Sequence, residues 1–103
     1  MKVRDIKPGM ENITITVRVD SVSNPRKVNT RYGEADVATA VVSDDTGQIV
    51  LNLWRNQIRM VKPGYTIRIV NAFARTYNDR IELNIGRRGR IIILTNETPK
   101  HLK

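Results

Sequence analysis

The sequence predicts an all-β domain, folded as a small barrel of five or six short strands. β-branched residues dominate its apolar content, and such residues favour strands. Apolar and polar positions alternate in several short runs, which are separated by turns containing Gly, Pro, Asn and Asp. A chain of 103 residues has room for a single domain with one modest core.

The first predicted strand covers residues 13–19, where Ile and Val occupy the odd positions and Thr and Arg the even ones. This period of two is typical of a half-buried strand. The polar stretch over residues 21–34 follows, broken by an Asn-Pro and a Tyr-Gly pair, and we interpret it as a long loop.

The next two strands, residues 35–43 and 48–54, flank an Asp-Asp-Thr-Gly sequence. That composition favours a tight turn, so the two strands are expected to form a hairpin. Residues 55–61 suggest a weak helical or irregular connection. At residues 62–64, Lys-Pro-Gly places Pro and Gly where a type II turn prefers them.

A long strand over residues 65–75 follows, and its alternation changes phase near Ile69 and Val70. A bulge or sharp bend at that point would explain the change. The pair Asn78-Asp79 then predicts a second tight turn.

Two further strands complete the pattern, over residues 80–85 and 91–94, with a basic loop between them at residues 86–90. The apolar run 91–94 is interpreted as a strand that closes the barrel, with pairing between two copies of the chain as the alternative. Residues 95–103 lack periodicity and are expected to form a flexible C-terminal tail. We therefore assign residues 1–94 to one domain.

Short strands, little helix and one long bent strand suit a five-stranded Greek-key barrel of the OB type. An SH3-like barrel is the main rival on the pattern alone. Either architecture closes its sheet on itself, so the strand edges are protected.

The composition excludes several classes of function. The chain has no Cys and one His, His101, so the residues for a thiolate or multi-histidine metal site are missing. It has no catalytic triad, Gly-rich phosphate loop or cluster of carboxylates, and we expect neither catalysis nor a cofactor. No apolar run is long enough to span a membrane, and we expect an intracellular protein. The formal net charge of +8 indicates a polyanionic partner such as nucleic acid.

The positions of the aromatic residues indicate whether the expected nucleic acid is single-stranded or double-stranded. In the strand 48–54, Ile49, Leu51 and Leu53 share one face, which leaves Trp54 on the polar face. After the bend in the long strand, Phe73, Arg75 and Tyr77 fall on one side, as aromatic, basic, aromatic. Such a stripe suits single strands, because every base has a face that stacks on a ring while cations neutralise phosphates. The alternative is that Phe73 and Tyr77 cap the barrel end as part of the core.

Four ordered motifs resemble the archaeal single-OB-fold single-stranded DNA-binding proteins, which are related to the eukaryotic single-stranded DNA sensor proteins. They are an Ile-Lys-Pro-Gly-Met turn followed by Thr-Val-Arg-Val, an Asp-Asp-Thr-Gly hairpin ending in Leu-Asn-Leu-Trp, an Asn-Ala-Phe run with Tyr four residues after the Phe, and Leu-Asn-Ile-Gly. Together they cover residues 3–93.

The resemblance implies that three aromatic residues stack on bases, and by position these are Trp54, Phe73 and Tyr77. It also implies basic residues in the loop after the first strand. The family often continues into a Gly/Arg-rich linker and an acidic tail, neither of which is present in these 103 residues. We therefore expect a truncated chain or a tail-less variant.

The expected function is sequence-tolerant binding of single-stranded DNA in replication, recombination or repair, by a cytoplasmic, nucleoid-associated monomer. We expect no membrane partner and no small-molecule substrate. The alternatives are a module for single-stranded RNA and a structural subunit of a replication or repair complex. Arg87, Arg88 and Arg90 are left open between phosphate contact and a solvated loop. Six residues are expected to contact phosphates: Arg18, Arg26, Lys27, Arg31, Arg75 and Arg80.

Overall fold

The computed structural model describes residues 1–95, which contain six strands, a short 3₁₀ helix and one turn of α-helix. The 3₁₀ helix spans Val3–Asp5 and the α-helix, α1, spans Gln57–Met60. The strands are β1 (Ile13–Val22), β2 (Arg26–Thr30), β3 (Gly33–Asp44), β4 (Gly47–Trp54), β5 (Thr66–Tyr77) and β6 (Arg80–Thr95).

The sheet closes into a Greek-key barrel. Its strand order is β1-β5-β6-β4-β3-β2, and an additional pairing of β1 with β3 joins the two sides. Neighbouring strands are antiparallel except β4 and β6, which run parallel. The five strands other than β2 form the closed ring, so the predicted five-stranded barrel is confirmed.

The interpretation of residues 21–34 as a loop is wrong, because β1 continues to Val22 and β2 lies within this stretch. β2 pairs with β3 as a hairpin, and Gly33, the first residue of β3 after the turn, has a φ of +107°. β2 lies at the end of the strand order and both of its faces are largely exposed. It therefore needs no apolar alternation, and alternation was the signal that identified the other strands.

The predicted loop at residues 86–90 is also wrong, since β6 runs without a break through it. The ladder slips here instead: Val70 pairs with Arg90 and Ala72 with Ile85. Four residues of β6, 86–89, thus stand opposite Asn71 alone, and we call them the β6 bulge. The apolar run 91–94 belongs to β6 and pairs with β5 in the same chain. It does not close the barrel as expected, because β6 meets β4 at Glu82 and Leu83 and the ring is completed by the pairing of β1 with β3.

The predicted turns are confirmed. Asp44 and Gly47 close the β3–β4 hairpin. Asn78 and Asp79 both have positive φ, +50° and +64°, as a type I′ turn requires. The Gly64 of the Lys-Pro-Gly turn has a φ of +93°, which a type II turn needs at that position.

Branched apolar side chains fill the barrel. The predicted inward residues of β4 are buried, and β1 buries every second residue from Ile13 to Val19. The ring of strands therefore leaves its polar face outside. The largest fully buried side chains are Ile13, Leu51, Leu53, Ile67, Ile69 and Leu83.

An N-terminal clasp, formed by Lys2 and Val3 against the β3–β4 turn, covers one end of the barrel. The Val3 N–H donates to Asp44 Oδ2 at 2.8 Å, and Lys2 Nζ lies 2.7 Å from Asp45 Oδ1. Burial raises the pKa of the Asp44 carboxyl, but hydrogen bonds from the Thr46 hydroxyl, the Val3 N–H and the Thr46 N–H outweigh it and lower the pKa to about 2.

The proposed boundary between domain and tail stays a prediction. Thr95 is the last residue of β6, and residues 96–103, including His101, lie outside the described part of the chain. Within residues 1–95, no helix has the length and apolar character to cross a membrane.

Candidate nucleic-acid interface

The outer surface of the barrel carries a groove of about 650 Å³, which is lined by residues of β2, β3, β4, β5 and β6. Directly opposed residues of paired strands point to the same side of a sheet. The register sets Arg26 opposite Val37 and Val37 opposite Trp54, which forms one wall of the groove. Trp54 thus lies on the outer face of β4, as its place in the alternation predicted.

The other wall belongs to β5 and β6, and it depends on a change of phase in β5. Ile67 and Ile69 point inward before Asn71, whereas Ala72 and Ala74 point inward after it. Asn71 has a φ of +56°, and the register with β6 shifts between Val70 and Ala72. The bend predicted near residues 69–70 is therefore present at Asn71, and it turns Phe73, Arg75 and Tyr77 to the groove.

The three aromatic side chains of the groove differ in exposure. Trp54 and Phe73 are half-buried, and Tyr77 is 61% exposed. The Arg75 guanidinium carbon lies 5.0 Å from the Phe73 ring centroid, within the range of a cation–π contact. Neither Phe73 nor Tyr77 belongs to the buried core. The alternative that they cap the barrel as core residues is therefore wrong.

A polar network forms the floor of the groove between these walls. Asn52 Nδ2 donates to Glu82 Oε1 at 2.9 Å and to Asn84 Oδ1 at 3.2 Å. Arg80 Nε donates to Glu82 Oε2 at 3.1 Å. Glu82 is only 7% exposed, although it lies on the polar face of β6.

The six basic residues expected at phosphates do not all come together. Arg26, Arg75 and Arg80 line the groove. Lys27 points to the other side of β2, where its ammonium lies 3.1 Å from Asp36 Oδ1. Arg31 lies in the β2–β3 turn, and Arg18 lies on β1, opposite Ser43 and Thr66.

The β6 bulge places a further cation, Arg87, beside the groove. Arg87 lines one hollow with Trp54 and Tyr32, and a second hollow with Phe73 and Arg75. It therefore lies between the two aromatic walls, whereas the sequence left its role open. Tyr32, at the β2–β3 turn, is 77% exposed.

Sequence reasoning missed the floor residues Asn52, Glu82 and Asn84. Each occupies the polar face of its strand, and an alternating pattern does not tell which polar positions another hairpin will cover. The one available signal was that Asn52 is two residues before Trp54, so both point to the same side.

Comparison with known proteins places the chain in a family. Residues 6–93 match the model "Single-stranded DNA binding protein Ssb-like, OB fold". The single-stranded DNA binding protein Ssb of Saccharolobus solfataricus is 34% identical over 90 residues, which are 87% of this chain and 61% of that protein. The chain thus spans about three-fifths of that relative.

Solved structures agree with this assignment. The replication factor A related protein of Methanobacterium thermoautotrophicum superposes with a TM-score of 0.76 at 28% identity, over 91% of this chain and 89% of that one. The OB domain of Ta0387 from Thermoplasma acidophilum has the same fold, with a TM-score of 0.81 at 19% identity over 96% of this chain and 90% of that one. The chain belongs to the Ssb-like family of single-stranded DNA-binding OB folds.

Proposed function

We propose that this chain binds single-stranded DNA along the groove, with little dependence on sequence, and protects it during replication, recombination or repair. The observation that carries the proposal is the presence of three aromatic rings and several arginines on one open face. The relatives named for single-stranded DNA binding and replication factor A support the same role.

The bases would stack on Trp54, Phe73 and Tyr77. Stacking on a ring is worth about 1–3 kcal/mol per base and tolerates any base, because all four have a π-face. A closed duplex covers the faces of its bases, so the rings gain nothing from double-stranded DNA.

The phosphates would lie along the groove margins, near Arg26, Arg75 and Arg87. Because Arg75 covers one face of the Phe73 ring, a base would stack on the face that the guanidinium leaves free, and the cation beside the ring would meet a phosphate of the same strand. Stacking and charge neutralisation are thus supplied by neighbouring side chains, as single-strand sites require.

The acidic pair Asp44 and Asp45 makes structural contacts with the N-terminal segment. Asp44 and Asp45 hold the N-terminal clasp through the Val3 N–H and Lys2, and neither lines the groove. We therefore assign them to stability and give the chain no catalytic step.

The test is a fluorescence titration with single-stranded DNA, duplex DNA and RNA of equal length. Trp54 is the only Trp in the chain, so its emission reports on the groove itself. We expect quenching and tight binding with single-stranded DNA, and weak binding without quenching for the duplex. Equal affinity for RNA would make the chain a general single-strand binder. Unquenched emission at saturating single-stranded DNA would contradict the proposal.

A matched pair of variants locates the binding surface. Arg75→Ala removes a cation of the groove, whereas Arg68→Ala removes an exposed cation whose side chain contacts Thr16 on β1. Both lose one positive charge, so a general electrostatic effect would weaken them equally. We expect the larger loss of affinity with Arg75→Ala.

A further inference from the structure

A buried carboxylate lies in the groove that we propose for a polyanion. Glu82 is the one buried charged residue within residues 1–95, at 7% exposure. A negative charge here weakens the local attraction for phosphate, and burying a charge is costly unless it is paired. Phosphate binding therefore does not explain why this residue is acidic. If it served only to pair with Arg80, neutral residues at the two positions would provide stability at a lower desolvation cost.

The hydrogen bonds of Glu82 leave it able to accept more. Oε1 accepts from Asn52 and Oε2 accepts from Arg80, one bond for each oxygen. An ionised carboxylate has about four acceptor positions. Asn52 donates both Nδ2 hydrogens, to Glu82 and Asn84, so the network fixes the direction of the carboxylate without using all its lone pairs.

The register places these acceptors between the rings. Glu82 is directly opposite Arg75, and Asn84 is directly opposite Phe73. Asn52 precedes Trp54 by two residues on the same face of β4. The floor acceptors are therefore close enough to the ring positions for the edge of a stacked base to meet them.

We infer that Glu82, positioned by Asn52 and Arg80, accepts a hydrogen bond from the exocyclic amino group of a base, so that the groove discriminates against thymine and uracil. This inference rests on the proposed function and adds a preference at the one base position that meets Glu82, while the stacking positions accept any base. Cytosine, adenine and guanine each carry an amino donor on the base edge, whereas thymine and uracil have only one N–H, flanked by two carbonyl oxygens. Those oxygens face the carboxylate unfavourably, because both partners are acceptors.

The experiment compares oligo(dC) with oligo(dU) of equal length, at slightly alkaline pH where oligo(dC) stays single-stranded. Both bases are pyrimidines without a methyl group, so ring size is matched and the amino group is the main difference. We expect the wild-type chain to bind oligo(dC) at least about fivefold more tightly, the lower limit for one good contact to a base edge. Equal binding of the two oligomers would overturn the inference and leave the proposed function standing, while failure of both to bind would remove the proposed function.

Glu82→Gln tests the carboxylate, because glutamine has the same size and can donate to a carbonyl oxygen. We expect the preference for oligo(dC) to fall to within about twofold, chiefly through a gain for oligo(dU). Asp36→Asn is the matched control, since it removes one negative charge outside the groove and should leave the ratio unchanged. A preference that survives Glu82→Gln in a variant with an unaltered circular dichroism spectrum would also overturn the inference.

Discussion

At the residue scale, Trp54 is the side chain on which the proposed binding of single strands depends most. Its place on the polar face of β4 follows from the buried alternation of Ile49, Leu51 and Leu53, and could be derived from the sequence. Its surroundings could not, because Arg87 and Tyr32 reach it through a bulge and a turn that are distant in the chain. The burial of polar residues such as Glu82 could not be predicted either, because it depends on which hairpin covers them.

Replacing Trp54 by Ala should weaken binding of single-stranded DNA by about 1–3 kcal/mol, the value of one stacked base. Trp54→Phe keeps a ring and should lose only part of that affinity. Anisotropy of a dye-labelled oligonucleotide measures both, since neither variant retains the indole signal. Affinity unchanged in Trp54→Ala would mean that no base stacks at this position.

At the element scale, the β6 bulge decides where the aromatic wall stands. It matches the positive φ of Asn71 on β5, and together they turn Phe73 and Tyr77 outward. The change of phase in β5 predicted the bend from the sequence alone. For the matching segment of β6 the sequence predicts a loop, because its two Gly and three Arg residues carry no strand signal, although the backbone continues as a strand.

Gly89 is the tightest point of this bulge. A Cβ there would come within 2.8 Å of the Val70 carbonyl oxygen and 2.9 Å of that of Asn71, so Gly89→Ala should lower the free energy of unfolding by roughly 1–3 kcal/mol. Gly86→Ala is the matched control, because its Cβ would meet the Phe73 ring at an ordinary 3.5 Å. Urea denaturation of both variants measures the difference. Equal stabilities would show that the strands do not approach this closely at Gly89.

The N-terminal clasp should make stability depend on pH. The folded-state pKa of Asp44 is about 2, against an ordinary value of 3.8, so the unfolded chain takes up this proton first. The contribution is present above pH 3.8 and is lost as the pH falls toward about 2. Asp44→Asn should flatten the fall of the urea midpoint over this range, while Asp36→Asn, outside the clasp, should keep it. A wild-type profile already flat over this range would contradict the clasp.

At the scale of the whole molecule, the net charge of +8 indicated a polyanion but no particular surface. The structure places some of the cations in the groove and others on different parts of the outer surface. Arg26, Arg75 and Arg80 lie in the groove beside the aromatic rings, whereas Arg18 and Arg68 lie on β1 and the first half of β5. The barrel topology could be predicted because strands and turns have local sequence signals. Which cations lie in the groove could not, because it depends on how the closed sheet orients each strand.

The proposed path of a single strand along the groove is tested by a titration followed by backbone amide NMR. A short single-stranded DNA of mixed sequence is added while the signals of the groove and of the surface around Thr16 and Arg68 are recorded. We predict large shifts at Trp54, Phe73 and Tyr77, including the Trp54 indole N–H, with Thr16 and Arg68 unchanged. Shifts concentrated at Thr16 and Arg68, with the groove signals unmoved, would contradict the account.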